Sequence, residues 1–169
     1  MPKSCHCPTD FPDWDGKDIA LDFHPILSLG IPTFFHMPLA YEAYLQRQHQ
    51  QIQQLELEEL WPGLVLTRTG LWRGQIIRLI KKTTTPSRHV GHFPNSFQVH
   101  AALHHGDIGT IHKPVRAMQM ALVDRGRIPK DLYLSYLTCP LCEEQRGGAK
   151  ILLLRHWTES KTLKKRLSG

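Results

Sequence analysis

The spacing of hydrophobic residues changes period along the chain, and those changes divide it into segments. From Pro38 to about Leu60, Tyr41, Tyr44, Leu45, Ile52 and Leu55 recur at helical spacing, while Gln46 to Gln54 supply a polar face. Pro38 at the first turn and Pro62 just past the end frame a helix over 38–60. After Gly63 the period shortens. Leu64, Leu66, Leu71, Ile76, Ile77, Leu79 and Ile80, interrupted by Gly70 and Gly74, read as β-runs, and Val90, Phe93, Phe97, Val99 and Ala101 continue them around a Phe93-Pro94-Asn95-Ser96 turn. The pattern predicts three or four antiparallel strands over 63–104. Val115, Met118 and Leu122 then mark a second helix over 115–125, closed by Gly126. Residues 131–138 are apolar, as a strand or a short helix, and 139–156 hold a Cys-x-x-Cys turn followed by Ile151-Leu152-Leu153-Leu154.

The first 37 residues are a proline-rich arm. Pro8, Pro12, Pro25, Pro32, Gly16 and Gly30 argue against long regular structure, although Ile19, Leu21 and Phe23 alternate as a short strand would and 26–35 could run extended. Phe11, Trp14, Phe23, Phe34 and Phe35 would be left in water unless the arm packs on the body. No internal repeat is visible. The expectation is one α+β domain over 1–169: an antiparallel sheet of three to five strands packed by one long and one shorter helix, with a basic tail over 159–169.

Composition narrows the class. Of the 169 residues, 41% are hydrophobic and 21% charged, as in a soluble globular protein. There is no apolar run of roughly 18 residues, the length of a membrane span, and no signal-peptide h-region, so the expected compartment is cytoplasm or nucleus rather than secretion. In that setting four cysteines read as metal ligands rather than disulfides. A net charge of +6 favours a polyanionic partner, and eleven histidines raise the prospect of metal or acid–base chemistry.

Cys139-Pro140-Leu141-Cys142 is the strongest chemical signal. Two thiols separated by two residues on a turn can aim at one point, which makes half of a tetrahedral zinc site. The other cysteines, Cys5 and Cys7, lie at the opposite end of the chain. The reading is a zinc knuckle of Cys5, Cys7, Cys139 and Cys142 that joins the arm to the last quarter, with His6 or His156 as substitute ligands. With every position filled by protein, such an ion is structural. A thioredoxin-type redox pair fits poorly, because Glu143 and Glu144 would raise a thiol pKa and Gly147-Gly148 would stop a helix.

Two weaker constellations remain. Arg68, Arg73, Arg78, Lys81 and Lys82, with Trp72 among them, could form a basic, aromatic-bearing sheet face that tracks phosphates and stacks a base. Because 73 and 78 are an odd number apart, that face needs a bulge at Gly74. His89, His92, His100, His104, His105 and His112, with Asp107, could instead hold an open catalytic metal. No Walker A loop, GxGxxG or GxSxG is present. The favoured function is a small, zinc-stabilised, non-enzymatic accessory or regulatory protein that binds nucleic acid, RNA or DNA. The alternatives are a protein–protein adaptor working through the aromatic arm and glutamine-rich helix, and a metal-dependent hydrolase or nuclease centred on His100, His104 and His105.

Overall fold

The computed structural model describes residues 5–82 and 87–169. Nine strands among them form one antiparallel sheet: β1 (Asp18–Ala20), β2 (Pro25–Phe34), β3 (Met37–Pro38), β4 (Leu66–Thr69), β5 (Arg73–Leu79), β6 (Gly91–His92), β7 (Gln98–His105), β8 (Arg127–Tyr136) and β9 (Lys150–Glu159). Three helices accompany it: α1 (Tyr41–Gln54), α2 (His112–Asp124) and α3 (Lys161–Ser168). The expected sheet of three to five strands packed by one long and one shorter helix is therefore wrong. The long helix is shorter because the backbone is left-handed at both flanks, Ala40 (φ 51°) before it and Glu56 (φ 53°) after it.

The arm accounts for much of the missing sheet. β2 covers the run expected to be extended over 26–35, and it carries Pro25 and Pro32, which argue against a strand of this length. Pro25 is the first residue of β2, and the Pro32 carbonyl faces away from β5 to accept from Leu39 N at 3.0 Å. The Pro32 nitrogen points the same way, towards the sheet edge, so its missing N–H breaks no bond to β5.

Sheet order also exposes a duplication invisible in the residue pattern. The sequence β2-α1-β4-β5 is matched by β7-α2-β8-β9: in each, the first and second strands flank the third, as in a split β-α-β unit. The resulting order β7-β9-β8-β4-β5-β2 is palindromic, and the halves join through the pair Thr67↔Leu134.

Both long helices cover one face. Ile52, Tyr41, Tyr44 and Leu45 of α1 pack over Leu27, Ile31, Ile76 and Ile80, and Met118 and Leu122 of α2 pack over Ile151, Leu153 and Trp157. Among the described residues, neither α1 nor α2 packs on the opposite face. Its Leu66, Ile77, Val99, Leu152, Leu154, Tyr133 and Leu137 are covered by Leu21, Phe11 and Trp14 of the arm, by Trp61 and Leu64, and by the stacked pair Phe93 and Phe97. Each fully buried aliphatic chain there contributes roughly 1.5–3 kcal/mol, so keeping the arm in place matters to the whole sheet.

Arg78, expected on a basic outer face, lies in the core under α1. Register runs unbroken from Ile26↔Leu79 to Pro32↔Arg73, so no bulge forms at Gly74 and Arg73 and Arg78 fall on opposite faces. Arg78 Nη1 donates to Glu59 Oε1 at 3.0 Å, Nε to Gln48 Oε1 at 2.9 Å and Nη2 to the Leu45 carbonyl at 3.3 Å. Gln48 in turn donates to the Leu27 and Ile76 carbonyls at 3.0 and 3.1 Å. Removing one partner of such a pair strands the other charge. Arg78→Met is expected to cost about 3 kcal/mol or more in urea unfolding, whereas Arg73→Met, at an exposed site, should change stability by under about 0.5 kcal/mol. Equal, small effects would mean that the Arg78 cluster is solvated.

Candidate metal centre and the polar sites around the sheet

Residues after β8 make a tight helical turn in which Cys142 N and Glu143 N both donate to the Cys139 carbonyl, at 2.9 and 3.0 Å. The turn puts both thiols on one side: Cys139 N donates to Cys142 Sγ at 3.2 Å, and the sulfurs are 3.9 Å apart. Cys5 Sγ lies 3.6 Å from Cys139 Sγ, and all four sulfurs fall within 4.8 Å of one another, none in a disulfide. Four thiolates around one ion at about 2.3 Å would stand about 3.8 Å apart, so the donor set fits a tetrahedral, sulfur-loving metal. These cysteines are the one group of three or more potential metal ligands among the described residues.

The thiols differ in acidity. A backbone hydrogen bond involving Cys7 is the largest influence on Cys5 and its pKa falls to about 7, while burial pushes those of Cys7 and Cys142 up. A shared cation would favour the thiolate at all four.

Two further contacts seat the arm. Arg146 Nη1 donates to the Pro8 carbonyl at 2.7 Å. Gly63 (φ 85°) lets the arm cross closely: a Cβ there would stand 3.1 Å from the His6 carbonyl oxygen and from Pro8 Cα.

His156 is not at the cysteine cluster. Its ring stacks on Phe97, centroids 4.2 Å apart at 19°, and burial lowers its pKa. The other histidines do not converge either. His100 and His104 share the α2 face of β7, whereas His105 is on the opposite face. His104 Nε2 is 2.8 Å from Thr110 Oγ1.

His100 instead meets a carboxylate distant in sequence. Its Nδ1 lies 2.7 Å from Asp18 Oδ1, and Arg127 Nη1 donates to Asp18 Oδ2 at 2.9 Å. Arg127 also lies over Trp157, 3.8 Å from the ring centroid. Burial works against the Asp18 carboxylate, but the hydrogen bonds from His100 and Arg127 outweigh it and its pKa drops below the ordinary value. Sequence inspection singled out His100 but missed Asp18 and Arg127. They lie 82 and 27 residues from it and meet through the β1–β7 pairing of Asp18 with His100, which no local spacing announces.

The proposed basic stripe is scattered. Arg68 approaches Asp131 at 3.7 Å, Lys81 pairs with Glu58 at 3.2 Å, and Arg73 and Lys82 are exposed. Trp72 does join an exposed aromatic patch, with Phe34 and Phe35 centroids 5.7 and 5.6 Å away. Hydrogen bonds from Thr33, Phe35 and His36 to the 70–72 turn fix that patch, and the backbone is left-handed at Phe35 and His36. No helix among the described residues is long and apolar enough to cross a membrane.

A family model described as bacterial hydrolase matches residues 1–156, and the chain belongs to that family. No curated protein matches it. Among solved structures the fold is similar to the EcmrR C-terminal domain, with a TM-score of 0.60 and 10% identity over 85% of this chain and 96% of that one. It is also similar to EcmrR in a cryo-EM structure of an EcmrR–DNA complex in EcmrR-RPo, with a TM-score of 0.57 and 9% identity over 85% of this chain. The match spans 56% of that longer EcmrR chain. At such identities the likeness is one of fold.

Proposed function

We propose that this member of the bacterial hydrolase family is a hydrolase with a structural zinc ion, and that Asp18 and His100 are its water-activating pair. The carrying observation is the 2.7 Å contact between Asp18 Oδ1 and His100 Nδ1. With Nδ1 engaged by a carboxylate, Nε2 is the nitrogen left to accept a proton, and the charge gained on the ring is balanced by Asp18. For an ester, a water would give a proton to Nε2 as its oxygen adds to the carbonyl carbon. The imidazolium would return that proton to the departing alkoxide as the C–O bond breaks. Arg127 holds the second carboxylate oxygen and so fixes the pair's orientation.

Zinc is the metal whose preference best matches four thiolates in a cluster of this size. Bound there it would supply folding energy and charge neutralisation, since four protein sulfurs leave no position for a substrate water. One zinc per chain is expected by elemental analysis, falling well below one in Cys142→Ser. Full zinc content in that variant would remove the assignment.

The hydrolytic reading is tested on a panel of phenyl esters with the zinc-loaded protein. His100→Gln should lose on the order of 10²–10⁴-fold in kcat/KM while its circular dichroism and zinc content match the parent. Undiminished turnover in a folded His100→Gln protein would sink it.

A second reading, a regulator that binds nucleic acid, is favoured by the exposed Phe34, Phe35 and Trp72 rings beside Arg73, the net charge of +6, and the likeness to a protein captured in a DNA complex. The rings could stack unpaired bases while Arg73 meets a phosphate. Under this reading, Trp72→Ala weakens binding to a labelled single strand, and affinity falls steeply as salt is raised. Affinity indifferent to both changes would exclude it.

A further inference from the structure

Beside the cysteine turn lies a cavity of about 410 Å³, lined by Thr9, Phe11, Leu137, Thr138, Arg146 and Lys150. Its size falls within the usual range for small-ligand pockets. Three segments build it: the arm, the turn after β8, and the start of β9. It lies on the sheet face that carries Leu137, away from His100 on the α2 face.

We propose that this cavity binds a small phosphate-bearing molecule through Arg146 and Lys150. Neither cation forms an ion pair among the described residues, although both are half-buried. Arg146 is held by the Pro8 and Leu137 carbonyls at 2.7 and 3.3 Å, both on Nη1, which leaves its Nη2 donors without an acceptor among the described residues. Thr138 Oγ1 accepts from Lys150 N at 3.0 Å, so its hydroxyl hydrogen remains to donate. Two cations and a free hydroxyl donor suit a dianion better than a single carboxylate. Phe11 and Leu137 add an apolar wall for the rest of the ligand.

The arm supplies Thr9 and Phe11, and the sulfur cluster holds the arm, so the site is complete only while the clamp is closed. The proposal does not rest on the hydrolytic reading. It concerns binding, on other residues, and either can fail alone.

The test uses the full, metal-loaded chain at constant ionic strength set with chloride. Titration calorimetry with inorganic phosphate, phenyl phosphate and benzoate should give saturable binding of both phosphates, tighter for phenyl phosphate and weakest for benzoate. Lys150→Gln should weaken phosphate binding at least about tenfold, while Lys165→Gln, which removes an equal charge at an exposed position outside the cavity, should leave it unchanged. No saturable binding, benzoate binding tightest, or equal losses in both variants would overturn the proposal. The parent protein offers a check that needs no variant. Phosphate should slow acetylation of Lys150 more than that of Lys161 or Lys165, and equal protection of all three would count against the site.

Discussion

The meeting of sulfurs from the two ends of the chain is the constraint on which the architecture depends. A sheet needs cover on both faces, and here α1 and α2 both pack on one of them. The other is roofed by irregular chain, much of it an arm with too few internal hydrogen bonds to hold its own shape. Such a segment gains burial energy only if something outweighs the entropy of fixing it. The points at which the arm is held are the cysteine cluster, the Arg146 grip on Pro8 and the close passage over Gly63. Loss of the clamp would therefore threaten the apolar face beneath Phe11 and Trp14 as well as the arm.

Charge is used in opposite ways on the two faces. Under α1, Arg78, Glu59 and Gln48 form a closed network in which the guanidinium nitrogens find protein acceptors. Beside the knuckle, Arg146 and Lys150 line a cavity and form no ion pair among the described residues. The first arrangement fixes how the helix sits on the sheet. The second leaves electrostatic potential uncompensated, as a binding site does.

The cysteine cluster was legible from the chain because metal chemistry restricts both residue type and spacing. Cys139 and Cys142 announced themselves, and elimination supplied Cys5 and Cys7. The helices near 41–54 and 112–124 were legible from period. The sheet is undercounted from sequence because the arm's prolines and glycines argue against long strands, although neither Pro25 nor Pro32 stands where the N–H that proline lacks is needed. Arg78 was misread because arginine in a strand usually marks the wet face, and the acid that neutralises it, Glu59, sits 19 residues away beyond a left-handed turn. Asp18 with His100 was beyond local reading for the same reason at longer range.

The palindromic sheet carries a consequence of its own. Thr67 and Leu134 face each other at the seam, so their partners Ile76 and Leu153 correspond, and two residues further on so do Arg78 and Arg155. Both arginines lie on the helix-bearing side, yet only the first has an acid and an amide in its grasp; the second hands Nη1 to the Lys130 carbonyl at 2.7 Å and leaves Nε buried without an acceptor. Their opposite numbers differ too, Leu27 in one half and His100 in the other. The halves are thus mirror tasks unequally performed: one is finished as scaffold, and the other, with its imidazole, its under-used guanidinium and the tethered arm at its edge, holds the departures from symmetry where chemistry has room to reside.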